Sequence, residues 1–433
     1  MTQPTRMRPR ARPLEALLLL LAGGITLAAA MPLQLASGEE ATVPAMAAAA
    51  ALFVAFGLLH LLLTLRGRGE DPVLIPLCLA LMGIGLAFAR RLAPGLAERQ
   101  QLFVFAGVAV IAAAVWLPGE LRRLRHYRYS AAAAGVVLVA LTFVFGRSAV
   151  GDGPRLWLGI GPFGFQPAEA LKPLLVLFLA GYLGERRELL GVGGPRVGPL
   201  RFPLAYLAPL GLVVGAALAL LAAQGDLGAA LLLVTVALGM WYLAVGRGDL
   251  LLVALLLFAI GAWWMHGHVP IVQARTALWL DPWSDPRGGG FQLVQAVMAM
   301  SAGGILGSGL GFGQPTAIPA VHTDFVYAAI VEEMGMAGAA AVLAMYGLLL
   351  VRGLRVAARC EDPFKALLAA GLTFALFAQA ILIVAGDVRL MPLTGITLPF
   401  VAHGGSSMLV SAASVGLVLR NRPPLLQSSW CRR

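Results

Sequence analysis

Charge is scarce in this sequence. Asp, Glu, Lys and Arg make up 12% of its residues, half of the about 25% typical of a soluble globular domain, and that shortfall excludes a soluble enzyme. Cysteine is scarcer still. Cys78 lies inside an apolar run, while Cys360 and Cys431 fall in segments read below as cytoplasmic, so the chain has neither a disulfide framework nor a zinc spacing. It also lacks a Gly-rich phosphate loop followed by Lys, a nucleophile elbow, paired Cys ligands and any visible internal repeat. What it has in quantity is apolar: 59% of the residues are hydrophobic, and the mean hydropathy is +0.85. Lys and Arg number 32 against 21 Asp and Glu, a net charge of +11. These basic residues sit in short loops between apolar runs and form no stripe on a soluble face, so nucleic acid is not expected as a partner.

Runs of about 20 apolar residues, the length that crosses a hydrocarbon core, fall near 14–36, 43–65, 72–89, 101–117, 129–146, 168–184, 203–223, 226–245, 250–269, 325–351, 366–387 and 400–420. The expected fold is an all-α, polytopic membrane bundle of about twelve transmembrane helices, with a large extracellular loop near 270–324. An even number of spans puts both termini on one side. With both termini cytoplasmic, 23 Lys and Arg lie inside and eight outside, namely Arg90, Arg91, Arg99, Arg147, Arg155, Arg275, Arg287 and Arg389, with Lys172 in a span. That asymmetry follows the positive-inside rule, and the Arg90 to Arg99 loop is its local violation. The first span follows Arg6, Arg8, Arg10 and Arg12 and contains Leu27-Ala28-Ala29-Ala30, features shared by a cleaved signal peptide and a retained anchor. Eleven further spans favour the anchor.

Function in such a protein concentrates in the long loops, here 147–167 and 270–324 outside and 185–202 inside. In the larger one Asp281-Pro, Asp285-Pro and Gly288 to Gly290 are turn signals, Phe291 to Met300 has the spacing of a short amphipathic helix at the membrane surface, and Gly303 to Gly313 is Gly-rich. It ends in His322-Thr323-Asp324, where the tenth span begins, with Thr323 placed to cap that helix. Asp324 has two readings. It is a carboxylate stabilised by the helix dipole, or a general base at the mouth of a membrane cavity, its pKa lowered by the dipole and raised by desolvation. Glu332 and Glu333 lie two turns deeper, so at least one is expected to face a cavity or a basic partner. In the smaller loop Arg155, Trp157 and Gln166 lead to Pro167, which opens the sixth span. Glu169 and Lys172 share one helix face and either pair with each other or leave Lys172, with Arg155, to meet an anionic head group. Asp226 reads as an N-cap. His266-x-His268 and His322-x-Asp324 offer only two ligands each, which is weak evidence for a metal. Read residue by residue, this is a polytopic protein with an outward-facing polar cavity.

The order of the motifs goes further. Arg155-x-Trp157-Leu-Gly-x-Gly-Pro, Phe165-Gln166-Pro167-x-Glu169-x-x-Lys172, Asp226-Leu-Gly, Leu280-Asp281-Pro-x-x-Asp285-Pro, Gly303-Gly-x-x-Gly-x-Gly, His322-Thr-Asp324-Phe and Pro392-Leu-Thr-Gly-Ile-x-Leu-Pro399 to Gly404-Gly-Ser406-Ser407 resemble, in the same order, the SEDS family, the RodA and FtsW proteins of bacterial elongation and division. The resemblance implies a peptidoglycan glycosyltransferase of the bacterial cytoplasmic membrane. Such an enzyme polymerises lipid II, an undecaprenyl-pyrophosphate-linked disaccharide peptide, at the outer face, surrounded by membrane lipids and working with a class B penicillin-binding protein that supplies the transpeptidase. It implies a glycosyltransferase domain over 71–433, with 1–70 an added helix pair similar to that of actinobacterial members. Asp324 matches the family's essential carboxylate, which would take the proton of the attacking sugar hydroxyl as undecaprenyl pyrophosphate leaves.

For the substrate, the same resemblance implies that Arg155, Arg275 and Lys172 hold pyrophosphate and that Glu169 positions Lys172. It places Trp157, Gln166, Gln295, His322, Thr323, Ser406 and Ser407 in the substrate site as well. A divalent cation, Mg²⁺ or Mn²⁺, at the pyrophosphate is a further implication. The chain departs from the family pattern in three places. Gln224-Gly-Asp-Leu-Gly-Ala229 replaces Gln-Pro-Asp-Leu-Gly-Thr, Ala402-His403 replaces Ser-Tyr before Gly-Gly-Ser-Ser, and Ile383 stands near a usual Asn. A lipid II flippase is the rival reading, because buried Glu169, Lys172, Glu332 and Glu333 would suit a headgroup path. A flippase needs charge spread from face to face, whereas most unusual polar residues here gather in the outer half, which favours the enzyme. In a third reading the protein is a scaffold and Asp324 is dispensable.

Overall fold

The computed structural model describes residues 12–35, 42–65, 71–117, 119–148, 154–160, 163–190, 204–246 and 248–421. Arg6, Arg8, Arg10, Arg247, the stretch 191–202, Gly161 and Pro162 of the Trp157 motif, and Cys431 lie outside the described residues. Among the described residues fourteen α-helices run in chain order as α1 (Pro13–Leu35), α2 (Thr42–Leu65), α3 (Leu74–Leu92), α4 (Pro94–Trp116), α5 (Arg128–Phe145), α6 (Pro167–Leu190), α7 (Leu204–Ala223), α8 (Leu227–Val245), α9 (Gly248–His268), α10 (Pro270–Leu280), α11 (Phe291–Gly303), α12 (Val326–Ala358), α13 (Pro363–Asp387) and α14 (Gly405–Arg420). Pro94, Pro270 and Pro363 each open a helix at its first turn, where a missing N–H costs nothing. Among the described residues ten helices are long and apolar enough to cross a membrane. The expected spans 203–223 and 400–420 are the shorter apolar helices α7 and α14. The latter starts at Gly405 because residues ahead of it turn, Phe400 with φ +68°.

The bundle is all-helical as expected, and the loop leading into α6 adds a short two-stranded antiparallel hairpin, β1 (Leu158–Ile160) with β2 (Phe163–Phe165). One sequence expectation needs correction. Between Arg90 and Arg99 there is no loop: α3 runs to Leu92 and α4 begins at Pro94, so Arg90 and Arg91 lie on the last turn of a helix. Arg91 Nη2 donates to the carbonyls of Gly311 (3.1 Å) and Gly313 (3.2 Å), and its Nε lies 3.6 Å from Glu333 Oε1. The local breach of the positive-inside rule is thus an anchor for the Gly-rich segment.

That segment fills a break in α12. Gly335 has φ +68° and ψ −178° inside the helix, which strips neighbouring backbone groups of their helical partners. The Gly-rich segment replaces them: Ser308 N–H donates to Glu332 O (2.9 Å) and Gly309 N–H to Glu333 O (3.1 Å), while Met336 N–H donates to Gly304 O (3.0 Å) and Ala337 N–H to Ile305 O (3.1 Å). A Cβ at Gly335 would overlap the Ile305 carbonyl. Glu332 Oε1 accepts from Gln314 N–H (2.8 Å) and Glu333 Oε2 from Gly311 N–H (3.1 Å). Both carboxylates thereby tie the loop to the helix, and Glu333 has the basic partner the sequence calls for.

At the other end of the bundle α1 packs on α2 and along α3. Glu15 is fully buried there, ion-paired to Arg12 and 2.8 Å from His60 Nδ1 of α2. Asp71 Oδ2 meets Arg352 of α12 at 2.6 Å. The rest of the bundle packs α5 on α6, α13 on α6, α8 and α12, and α14 on α4, around one contiguous apolar core.

Candidate active site

The chain enters α12 through a tight turn. Ala320 has φ +51°, a region non-glycine residues seldom occupy. Its carbonyl accepts from the N–H of Thr323 (3.1 Å), the N–H of Asp324 (3.1 Å) and the Thr323 hydroxyl (3.0 Å). The N-cap of α12 is Phe325, and no side chain caps it. Thr323 therefore does not cap the helix, against the sequence expectation, because the helix begins after Phe325, two residues further on, and Thr323 belongs to the turn ahead of it; Asp324 does not cap it either. Burial pushes the Asp324 carboxyl above its ordinary range, while the Thr323 side chain and the charge of Arg275 pull it part of the way back.

Arg275 comes from α10, its Nη1 3.5 Å from Leu393 O. Burial lowers its pKa and the charges of Asp226 and Asp324 resist that shift, but a guanidinium stays protonated in any case. Asp226 caps α8 as expected, Oδ1 accepting from Ala229 N–H at 3.0 Å. Its carboxyl is raised by burial and, more weakly, by the charge of Glu169, and is lowered by the Ala229 hydrogen bond, Arg275 and Lys172. Lys172 Nζ lies 2.6 Å from Glu169 Oε2 and 2.6 Å from Gln379 Oε1, and Gln379 Nε2 donates onward to Thr397 O at 2.7 Å. The pairing of Glu169 with Lys172 is therefore present. One electrostatic row runs from Glu169 and Lys172 on α6 through Asp226 and Arg275 to Asp324.

His322 and His403 meet edge to face, ring centroids 5.8 Å apart, and the backbone N–H of His403 donates to His322 O at 2.8 Å. Burial lowers the pKa of His322. Ser406 Oγ accepts from Gln166 N–H at 3.0 Å, while the buried Ser407 Oγ has no hydrogen-bond partner among the described residues. Other expected site residues stand apart. Arg155 is exposed, and its side chain makes no hydrogen bond or ion pair among the described residues. Half-buried Trp157 pairs its backbone with Arg147 and lays its ring against Gly164. Gln295 is half-buried on α11, where Gln292 is the glutamine that reaches back, Nε2 to Pro319 O at 2.8 Å. Residues not singled out from sequence also enter. Gln379 is one, a polar residue inside an apolar run. Asp387 is another, fully buried at the end of α13 within electrostatic reach of Asp324, with neither carboxyl oxygen partnered among the described residues.

Beside the row lies an apolar cleft of about 670 Å³ between α7, α8, α9 and α10, lined by Leu218, Leu231, Phe258, Met265, Pro392 and, at one side, Arg275. No residue in the span of α9 is buried, so that helix stands off the bundle. Among the described residues no group of three or more His, Cys, Asp or Glu is placed to hold a metal ion. The described residues do not make a protein-built cation site of that kind.

Fold and site together define a multi-pass membrane protein that brings a desolvated carboxylate, fixed cations and an apolar cleft to one place. The family model for cell cycle proteins of the FtsW, RodA and SpoVE type matches residues 90–422. The peptidoglycan glycosyltransferase RodA of Mycobacterium tuberculosis is 36% identical over 428 residues, 95% of this chain and 90% of its own. A probable peptidoglycan glycosyltransferase FtsW of Thiomicrospira cyclica is 34% identical over 82% of this chain and 92% of its own. A chain from a structure on the coordination of polymerization and crosslinking by a peptidoglycan synthase complex superposes with a TM-score of 0.66 at 28% identity, covering 81% of this chain and 96% of its own. The chain belongs to the SEDS family, the FtsW and RodA peptidoglycan glycosyltransferases.

Proposed function

We propose that the protein polymerises lipid II at the outer face of the bacterial cytoplasmic membrane, in elongation or division, with both its termini in the cytoplasm and a class B penicillin-binding protein as partner. The observation that carries this reading is the position of Arg275, which borders the apolar cleft and acts electrostatically on Asp324. A lipid tail in the cleft would thereby bring its pyrophosphate to a guanidinium and its sugar to a carboxylate. Arg can grip phosphate oxygens with two parallel hydrogen bonds. Lys172, held by Glu169 and Gln379, adds a second cation, while exposed Arg155 is left to meet the substrate from the solvent side.

In the reaction the acceptor hydroxyl oxygen bonds to the anomeric carbon of the donor, and the bond from that carbon to the pyrophosphate oxygen breaks. The hydroxyl proton passes to Asp324. Undecaprenyl pyrophosphate leaves with the bond's electron pair, its charge beside Arg275. The desolvated carboxylate binds a proton more strongly than an aqueous one, which suits it to this transfer. Glu332 and Glu333 bind the Gly-rich segment and so are unavailable for a headgroup path, which argues against the flippase. Purified lipid II supplied to the protein with its transpeptidase tests the reading. Wild type is expected to form glycan chains and Asp324→Ala none, and a wild type that forms none overturns it.

A further inference from the structure

The residue where this chain departs from the Ser-Tyr of the SEDS motif, His403, is held from two directions. Its N–H is bonded to the carbonyl of His322, two residues ahead of Asp324, at 2.8 Å. On the other side Gln100 of α4 grips both neighbours, Nε2 donating to Ala402 O (3.3 Å) and Oε1 accepting from Gly404 N–H (3.3 Å). The backbone at His403 is therefore fixed beside the Asp324 segment, and its ring lies 5.8 Å from that of His322.

Its chemistry follows from its surroundings. Burial, with smaller contributions from His322 and Arg99, pushes its pKa down to about 4, so the ring is neutral and carries one N–H and one lone pair. Nδ1 is buried without a partner. An orphaned buried N–H is rarer and costlier than an orphaned acceptor, which puts the proton on Nε2. Nε2 is absent from the buried, unpartnered atoms of this half-buried residue, and so lies on its accessible side.

We propose that His403 is a substrate-binding residue whose Nε2–H donates a hydrogen bond to a carbonyl or hydroxyl oxygen of the sugar held beside Asp324. An uncharged ring is suited to the neutral sugar, leaving the pyrophosphate to Arg275 and Lys172. This inference rests on the function proposed above.

Lipid II polymerisation by the full-length protein with its transpeptidase tests it, with the thermal midpoint in detergent measured alongside, for wild type, His403→Phe and His403→Gln. Phe keeps a flat ring without a donor, and Gln restores an amide N–H. Loss of one neutral hydrogen bond is expected to raise KM about threefold to tenfold in His403→Phe, with kcat and the midpoint near wild type and KM largely recovered in His403→Gln. An unchanged KM in His403→Phe, or no recovery in His403→Gln, overturns the proposal. Should His403→Phe not fold, His403→Met, also without a donor, is read in the same way; if that too fails to fold, the ring is structural and the proposal falls. A wild type that polymerises nothing overturns the proposed function as well, whereas an active wild type with indifferent variants overturns this inference alone.

Discussion

Changing Asp324 to Asn separates chemistry from architecture at one atom. Had Asp324 capped α12, Asn would replace it nearly as well, losing chiefly a charge–dipole attraction of about 0.3 to 1 kcal/mol. The helix has no side-chain cap, so even that loss shrinks to the contact with Thr323 and the attraction to Arg275. Against it stands relief from burying a carboxylate, which a neutral amide does not require. Folded yield and thermal midpoint are therefore expected to match or exceed wild type. The rate moves the other way, because an amide cannot take the hydroxyl proton. General base catalysis typically supplies about 10²- to 10⁴-fold, equivalent to about 2.7 to 5.4 kcal/mol of barrier. The assay is glycan chain formation from purified lipid II with the partner transpeptidase present, read beside the midpoint. An Asn variant keeping more than about a tenth of the activity would refute the base assignment, and so would a rate that falls only in step with folded yield. The wild-type pH profile carries the same information. A base must be ionised, and burial raises this carboxyl, so the rate is expected to fall as pH drops through that raised value.

Arg275→Gln removes the cation that holds Asp324 down, so the acidic limb of the pH–rate profile is expected to move to higher pH, with Arg275→Lys in between; an unmoved limb would disconnect the two residues. Lys172→Met leaves Glu169 buried beside an empty place, a loss of about 3 to 5 kcal/mol for a broken buried pair. Adding Glu169→Gln is expected to restore part of the thermal midpoint in detergent, whereas strictly additive losses would show that the two act independently. Gly335→Ala places a side chain at φ +68° against the Ile305 carbonyl and is expected to cost more than about 1 kcal/mol. Gly347→Ala, with nothing within 4 Å, serves as its control, and equal midpoints would contradict the account of the α12 break.

The spans were legible because hydrocarbon leaves an isolated backbone segment one way to satisfy its own hydrogen bonds. Glu169 and Lys172 were legible because three-residue spacing on a helix is contact. Partners distant in sequence were not. Gln379 meets Lys172 from 207 positions away and Arg91 meets Gly311 from 220. A Gln in an apolar run signals a partner without naming it, and an Arg outside a span reads as a charge violation until its acceptors are seen. Thr323 misled for a local reason, since the turn at Ala320 sets the helix start at Phe325, two residues past it. The hairpin was illegible because strands of three residues are too short for a period of two to register.

The third helix touches hardly any lipid: 89% of its span is buried. A side chain at Gly83 would strike Thr26 of α1, and one at Gly85 would strike the backbone at Phe400 and Val401, just ahead of His403. Shortening the chain to residues 71–433 would turn this interior helix into an outer wall. Its flank would carry a groove as wide as a missing Thr26, open to the bilayer and separated by a single helix from the turn that holds His403. Bilayer chains or another protein's helix would have to fill that groove, so the first two helices set where the membrane begins for the rest of the bundle.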